Sequence, residues 1–153
     1  MPTLREARPG DAARLTALIN DAFIVERSFK NGNRTTQEDV EEHLGRGCFL
    51  VLGEPPTIDA CVYVDLRPEG GYFGMLAVDP AQQGKGLGRQ LIDAAEQWCR
   101  DREASQVEIM VADARPELRL FYSKLGYEER HMSPFINAEL TKPVQFVHLV
   151  KPL

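Results

Sequence analysis

No apolar run in this sequence approaches the roughly 20 consecutive apolar residues that a membrane-spanning helix needs, so an integral membrane protein is excluded as the expected class. The opening stretch MPTLREARPGD has no apolar segment either; no secretory signal is expected, and the expected location is the cytoplasm. Cysteine is scarce. Cys48, Cys61 and Cys99 stand far apart in apolar neighbourhoods, and an odd count at wide spacing gives neither a disulfide framework nor a zinc site. They read as three reduced, buried thiols. Base is outnumbered by acid, 18 Lys and Arg against 23 Asp and Glu, for a net charge of −5. That argues against a general nucleic-acid binder, which presents a basic face, while leaving room for a local basic pocket. His43, His131 and His148 show no metal-ligand spacing, so no metal is expected. Repeats, low-complexity tracts and linkers are also missing, and residues 1–153 read as one domain.

What is present is a regular alternation of elements. TLREAR reads as a short strand, after which Asp11 stands as an N-cap and Leu15, Leu18, Ile19, Ala22 and Phe23 form one face of a helix. VERSFKNGNRTT reads as a polar loop. Thr35 with Glu38 three positions on has the capping-box pattern for a second helix carrying Val40 and Leu44. CFLVL, DACVYVDL and YFGMLAV are three strands joined by tight turns and are expected to run antiparallel. Leu87, Leu91, Ala95 and Trp98 mark the inner face of a long helix, with Trp98 expected in the core. QVEIMVA is a strand, PELRLFYSKL a helix stopped by Gly126, and YEERH and VQFVHLV close the chain as strands, with Pro134 and Phe135 in a long loop between them. The predicted order is β-α-α-β-β-β-α-β-α-β-β, an α/β fold with a mixed sheet and helices on both faces.

One stretch breaks this pattern. AVDPAQQGKGLGRQL sets Gly84, Gly86 and Gly88 at the mouth of the long helix, where glycine is poor helix material. A helix start offers four unpartnered N–H groups and about half a positive charge, which together attract an anion. Glycine admits close backbone approach and positive φ, and Lys85 and Arg89 add mobile charge. The stretch therefore reads as a phosphate cradle; a plain tight turn before a glycine-tolerant helix is the bland alternative. The P-loop pattern fits no window here, and the GxGxxG dinucleotide fingerprint fails at Arg89, which disfavours a nucleotide-binding oxidoreductase.

Gln83-Gly84-Lys85-Gly86-Leu87-Gly88 matches Q-x-x-G-x-G, the pyrophosphate signature of the GNAT acetyltransferases, which this chain resembles over essentially its whole length. LAVDP matches the strand that leads into that signature, and RLFYSKLGYEE looks like the second family motif. The resemblance implies a mostly antiparallel sheet with a splayed pair of parallel strands at the cofactor site. It implies that the backbone of Leu76, Ala77 and Val78 pairs with the pantetheine arm of acetyl-CoA, and that amides from Gly84 through Arg89 hold its pyrophosphate. The Ala77 or Val78 amide would polarise the thioester carbonyl. Tyr122 falls where the family places a Tyr near the cofactor sulfur, the alternative being that it merely packs.

The sequence departs from the family pattern twice. Asp113-Ala114-Arg115 stands where many members have an Asn that contacts the cofactor arm, and Tyr72 stands where many place a catalytic Glu. Glu26 is then the carboxylate candidate for receiving the amine proton, against deprotonation by solvent or a purely electrostatic role. The function implied is acetyl transfer from acetyl-CoA to a primary amine of a small molecule or peptide, with no nucleic acid, membrane or metal involved. The alternative is a non-catalytic acyl-CoA-binding or regulatory module. Homodimers are common in the family and are one assembly the resemblance implies. Glu26 and Arg27, with Lys30 and Arg34 further on, would suit an amine that also bears a carboxylate.

Overall fold

The computed structural model describes residues 2–153. Strand β1 (Leu4–Glu6) leads into α1 (Ala12–Ala22) and α2 (Gln37–Arg46). Strands β2 (Cys48–Leu52), β3 (Ala60–Arg67) and β4 (Gly70–Val78) follow, then α3 (Leu87–Asp101), β5 (Gln106–Ala112), α4 (Pro116–Lys124), β6 (Glu128–Pro134) and β7 (Gln145–Pro152). The seven strands form one sheet in the order β1-β2-β3-β4-β5-β7-β6. Every pairing is antiparallel except β4 with β5.

Burial pattern explains the layers. CFLVL is apolar without alternation because both faces of β2 are covered. Leu50 and Leu52 join the core under α3, and Phe49 and Val51 join the core under α1 and α2. Strand β7 alternates because only Val147 and Leu149 face the α3 side. α3 presents Leu87, Leu91, Ile92, Ala95 and Cys99 to the sheet, and α4 adds Tyr122 to the same core. At the end of β5, Ala112 packs with Phe29 and Val144, which lie outside the helices, and that side becomes part of the site.

Element order, the antiparallel run of β2, β3 and β4 and the parallel β4–β5 pair agree with the sequence reading, and several details differ. Asp11 does not cap α1 with its side chain; it accepts from the Arg8 amide at 2.7 Å and from Arg5 at 2.9 Å. The N-cap of α2 is Thr36, which accepts from the Asp39 amide, while the Thr35 hydroxyl donates to Asp39 Oδ2 at 2.6 Å. The polar stretch after α1 contains a turn of 3-10 helix, Ile24–Ser28, and buries Phe29 completely, because Phe29 packs with Ala112 and Val144. Trp98 is half-buried, with the Arg102 guanidinium 3.7 Å above its ring. Pro134 ends β6 rather than lying in the following loop. The cysteines are all free; Cys61 and Cys99 are buried and Cys48 is half-buried. No helix among the described residues is long and apolar enough to cross a membrane.

Candidate active site

The parallel pair separates almost as soon as it forms. β4 and β5 are in register only at Gly71 with Val107 and Tyr72 with Glu108, although β4 runs on to Val78 and β5 to Ala112. β4 stays paired with β3 through Val78. Between Tyr63 opposite Gly74 and Cys61 opposite Ala77, β3 has one residue and β4 has two, which is a β-bulge. Met75 in that bulge has φ of 50°, a left-handed backbone that costs a non-glycine residue about 1–2 kcal/mol. The bulge redirects β4 where it leaves β5. The Asp79 amide donates to Asp59 O, and the Ala77 amide lies against the Cys61 thiol, both on the β3 side. By strand alternation the amides of Leu76 and Val78 face the gap.

The glycine loop lies at the end of that gap. Gly86 is the N-cap of α3 in the left-handed region, with no side-chain cap, and Gly84 has φ of 82°. A Cβ built on Gly84 or Gly86 would meet no protein atom within 4 Å. Packing therefore demands glycine at neither position; the backbone angle does, and it leaves open space outside the loop. None of the amides of residues 84–89 finds a hydrogen-bond acceptor among the described residues. Buried Leu87 fixes the helix to the core. Lys85 Nζ rests on Gln82 at 2.8 Å and Arg89 on Asp93 at 3.4 Å, both exposed contacts that an incoming anion can replace. An open helix N-terminus of this kind binds phosphate through its N–H groups.

A cavity of about 770 Å³ continues from the gap. Leu76, Val78 and Gln83 line it together with Ile109, Val111 and Ala112 of β5, and so do Tyr72, Gly74 and Tyr122. The four tyrosines divide cleanly. Tyr63 donates to Asp65 at 2.8 Å and Tyr127 to Glu96 at 2.7 Å, both away from the cavity. Tyr72 and Tyr122 line the cavity, and neither hydroxyl has a hydrogen-bond partner among the described residues. Burial, with the Arg115 charge opposing it, pushes the Tyr122 phenol well above its ordinary pKa and keeps it a donor. Tyr72 folds back along its strand over Gly74, where a Cβ would lie 2.5 Å from the Tyr72 hydroxyl. The Arg67 guanidinium stacks on the ring at 3.6 Å.

Glu26 also reaches the cavity, from the 3-10 turn after α1. It is buried, and its Oε2 lies 3.3 Å from Arg115 Nη1. Sequence reasoning missed Arg115, which stands just before the proline that opens α4 and pairs with both Glu26 and Glu117. Asp113, at the position of the missing Asn, accepts from the Gln145 amide at 3.0 Å and so anchors the start of β7. The histidines, far apart along the chain, are partly gathered by β6–β7 pairing. His131 stacks on His148 at 4.1 Å, and potential ligand atoms of Glu108, His131 and His148 lie within 4.8 Å of one another. Both His148 nitrogens are already engaged, with Glu108 at 2.6 Å and Ser133 at 2.7 Å.

Comparison with known proteins agrees with this geometry. Residues 45–129, spanning β2 through the start of β6, match the acetyltransferase (GNAT) domain. Mycothiol acetyltransferase of Rhodococcus erythropolis is 28% identical over 111 residues, 63% of this chain and 37% of that protein. YxbD of Bacillus subtilis is 30% identical over 64 residues, 42% of this chain and 39% of that protein. The chain thus spans less than two fifths of the length of the curated relatives it matches. Among solved structures, Ard1 from Thermoplasma volcanium superposes with a TM-score of 0.82 at 18% identity, covering 99% of this chain and 97% of that one. The ribosomal-protein-S18-alanine N-acetyltransferase from Escherichia coli gives 0.80 at 16%, covering 99% and 94%. The structure of yncA from Salmonella typhimurium with its cofactor acetyl-CoA gives 0.77 at 19%, covering 99% and 94%. A splayed parallel pair, a bulged β4 and an uncapped glycine loop at the start of α3, in a chain whose central 85 residues match the domain, place this protein in the GNAT acetyltransferase family.

Proposed function

We infer that the protein transfers acetyl from acetyl-CoA to a primary amine of a small molecule or peptide, with residues 1–153 acting as one catalytic unit. The continuity of three features carries this reading: the β4–β5 gap, the unpartnered amides of residues 84–89 at one end, and the cavity leading from it. The pyrophosphate fits the loop from Gln83 to Arg89, and the pantetheine arm fits the gap, adding a short strand beside Leu76, Ala77 and Val78. Acetyl-CoA supplies the activated acyl group. Of the two amides that the resemblance offers for polarising the thioester carbonyl, the Val78 amide is the one turned into the gap.

The amine nitrogen attacks the carbonyl carbon, forming a C–N bond while the carbonyl π electrons move to oxygen. Collapse of that oxyanion breaks the C–S bond and releases the thiolate. Tyr122, held protonated by burial, donates a hydrogen bond to the departing sulfur. The amine must lose a proton, and we assign its receipt, directly or through a water, to Glu26, the one carboxylate lining the cavity among the described residues. No step in this sequence calls for a metal.

The test mixes the protein with acetyl-CoA and a panel of primary amines and follows free thiol. Thiol release that depends on the amine, with acetylated amine identified by mass, supports the transferase. Tight acetyl-CoA binding with no turnover across the panel supports the non-catalytic module instead.

A further inference from the structure

The cavity has a second half, chemically unlike the end that receives the cofactor. It lies between the 3-10 turn after α1 and the β6–β7 connection, with Phe23 on one side and Phe135 and Ile136 on the other. Among the described residues four charged ones line the whole cavity: Lys30, Arg34 and Arg115 against the single carboxylate of Glu26. Two of the three cations are already engaged. Arg115 pairs with Glu26 and Glu117, each at 3.3 Å. Lys30 is buried, and its ammonium donates to the carbonyls of Asn33 at 3.0 Å and Asn31 at 3.3 Å, with Glu139 at 3.8 Å.

Arg34 is different. Its guanidinium makes no hydrogen bond and no ion pair among the described residues; it lies 5.3 Å from the centre of the Phe23 ring. It is half-buried, and it is near enough to Tyr72 for its charge to act on that phenol. The backbone that carries it is held firmly. The Asn20 side chain accepts from the Thr35 amide at 2.9 Å and donates to the Thr35 carbonyl at 3.1 Å, and Thr35 is buried. A fixed backbone, an aromatic ring to stack on and five N–H donors without an acceptor describe a receptor for an anion. A planar guanidinium fork matches a carboxylate in two-point contact, whereas a compact dianion calls for more than one free cation.

We propose that Arg34 binds a carboxylate of the acetyl acceptor, and that the acceptor is an amine carrying both a carboxylate and an apolar side chain, an amino acid or a compound built like one. The apolar requirement comes from the walls. Phe135 stacks on Phe146 at 4.3 Å, and Ile136 is 90% exposed at the rim, a large apolar residue with no cover of its own. The choice of acceptor rests on the acetyl-transfer reading; the anion receptor rests on the geometry alone.

Two probes without an amine separate these. Binding of 3-phenylpropionate and of its neutral amide to the coenzyme A-loaded protein is measured by calorimetry, for wild type and for Arg34→Gln. The carboxylate is expected to bind wild type about tenfold or more tighter than the amide, as loss of a charge-assisted contact implies. That preference vanishes in Arg34→Gln, while coenzyme A affinity and melting temperature stay as in wild type. Arg34→Lys keeps part of it. Equal binding of the two probes to wild type, no binding of either, or a preference that survives Arg34→Gln overturns the proposal. A loss of coenzyme A affinity in Arg34→Gln overturns it too, by assigning the side chain to the cofactor. Turnover of phenylalanine and phenethylamine then reads the two inferences apart. Acetylation of both with equal kcat/KM removes the carboxylate preference and leaves the transferase standing. Carboxylate-selective binding with no acetylation of any amine leaves the receptor standing and removes the transferase.

Discussion

Tyr122 and Glu26 line one cavity, and their chemistry separates by environment. A phenol in ordinary surroundings is a weak acid for a thiolate leaving group, and burial pushes Tyr122 further up, so the role proposed for it is a hydrogen bond rather than a full proton. Tyr122→Phe is expected to keep coenzyme A affinity and to lower kcat by about tenfold to a thousandfold, the range for losing one transition-state donor. A kcat within a factor of two of wild type, with chemistry rate-limiting, would make Tyr122 a packing residue among Phe73, Phe121 and Tyr127. Glu26 is tested by pH. If it receives the amine proton, the lower limb of kcat/KM disappears in Glu26→Gln, with kcat reduced. If solvent takes the proton, the limb follows the pKa of whichever amine is supplied, in both proteins. Arg115 bears on this result because its guanidinium holds one Glu26 oxygen. A melting curve on Glu26→Gln separates loss of that pair from loss of a base.

At the level of elements, the decisive feature is the junction of β4 and α3. Gly88 lies in the first turn of the helix, and a Cβ there would sit 3.8 Å from Val78, an ordinary contact. The fold therefore accepts alanine at this position. Gly88→Ala should stabilise the protein by up to about 1 kcal/mol through helix propensity. If the loop cradles a pyrophosphate, the same methyl group crowds the approach and weakens coenzyme A binding. Opposite signs are expected in a denaturant titration and in calorimetry. Gain of stability with unchanged affinity would show that Gly88 is not kept free for a ligand. Gly86, at φ of 79°, lacks this clarity, since any side chain there also strains the backbone.

For the molecule as a whole, titration of the interior sets an alkaline limit. Burial pushes the thiols of Cys99 and Cys61 up to about 11 and about 12, from an ordinary value of 9.0. It also raises the phenols of Tyr63, Tyr122 and Tyr127. These groups hold their protons in the folded state after the unfolded chain has begun to lose them. The unfolded state then binds fewer protons, so stability falls as pH rises. The contribution is complete below pH 9 and is lost progressively as pH rises through the folded values. Melting temperature, followed at fixed ionic strength, is expected to hold level from pH 7 to about 9 and to drop steadily above it. A melting temperature at pH 10.5 equal to that at pH 7 would contradict the burial of these groups.

The sequence by itself determined the order of the elements, the mixed sheet and the position of the glycine loop. Each of these is written in local terms: period-2 and period-3.6 apolar patterns, glycines before a helix, and a motif readable within six residues. Helix ends were less legible, because Thr35 and Thr36 offer the same hydroxyl and only backbone geometry selects Thr36 as the cap. The stretch from Val25 to Thr36 was the hardest to read. Its polar composition conceals a helical turn and a fully buried Phe29, whose partners, Ala112 and Val144, lie more than 80 residues away. Only the tertiary structure decided that Arg115 would meet Glu26 across 89 positions. It alone paired His131 with His148 and left Tyr72, Tyr122 and Arg34 lining one cavity without hydrogen-bond partners among the described residues. Such facts depend on which side chains long-range strand pairing and core packing bring together, and no local pattern in the chain encodes that.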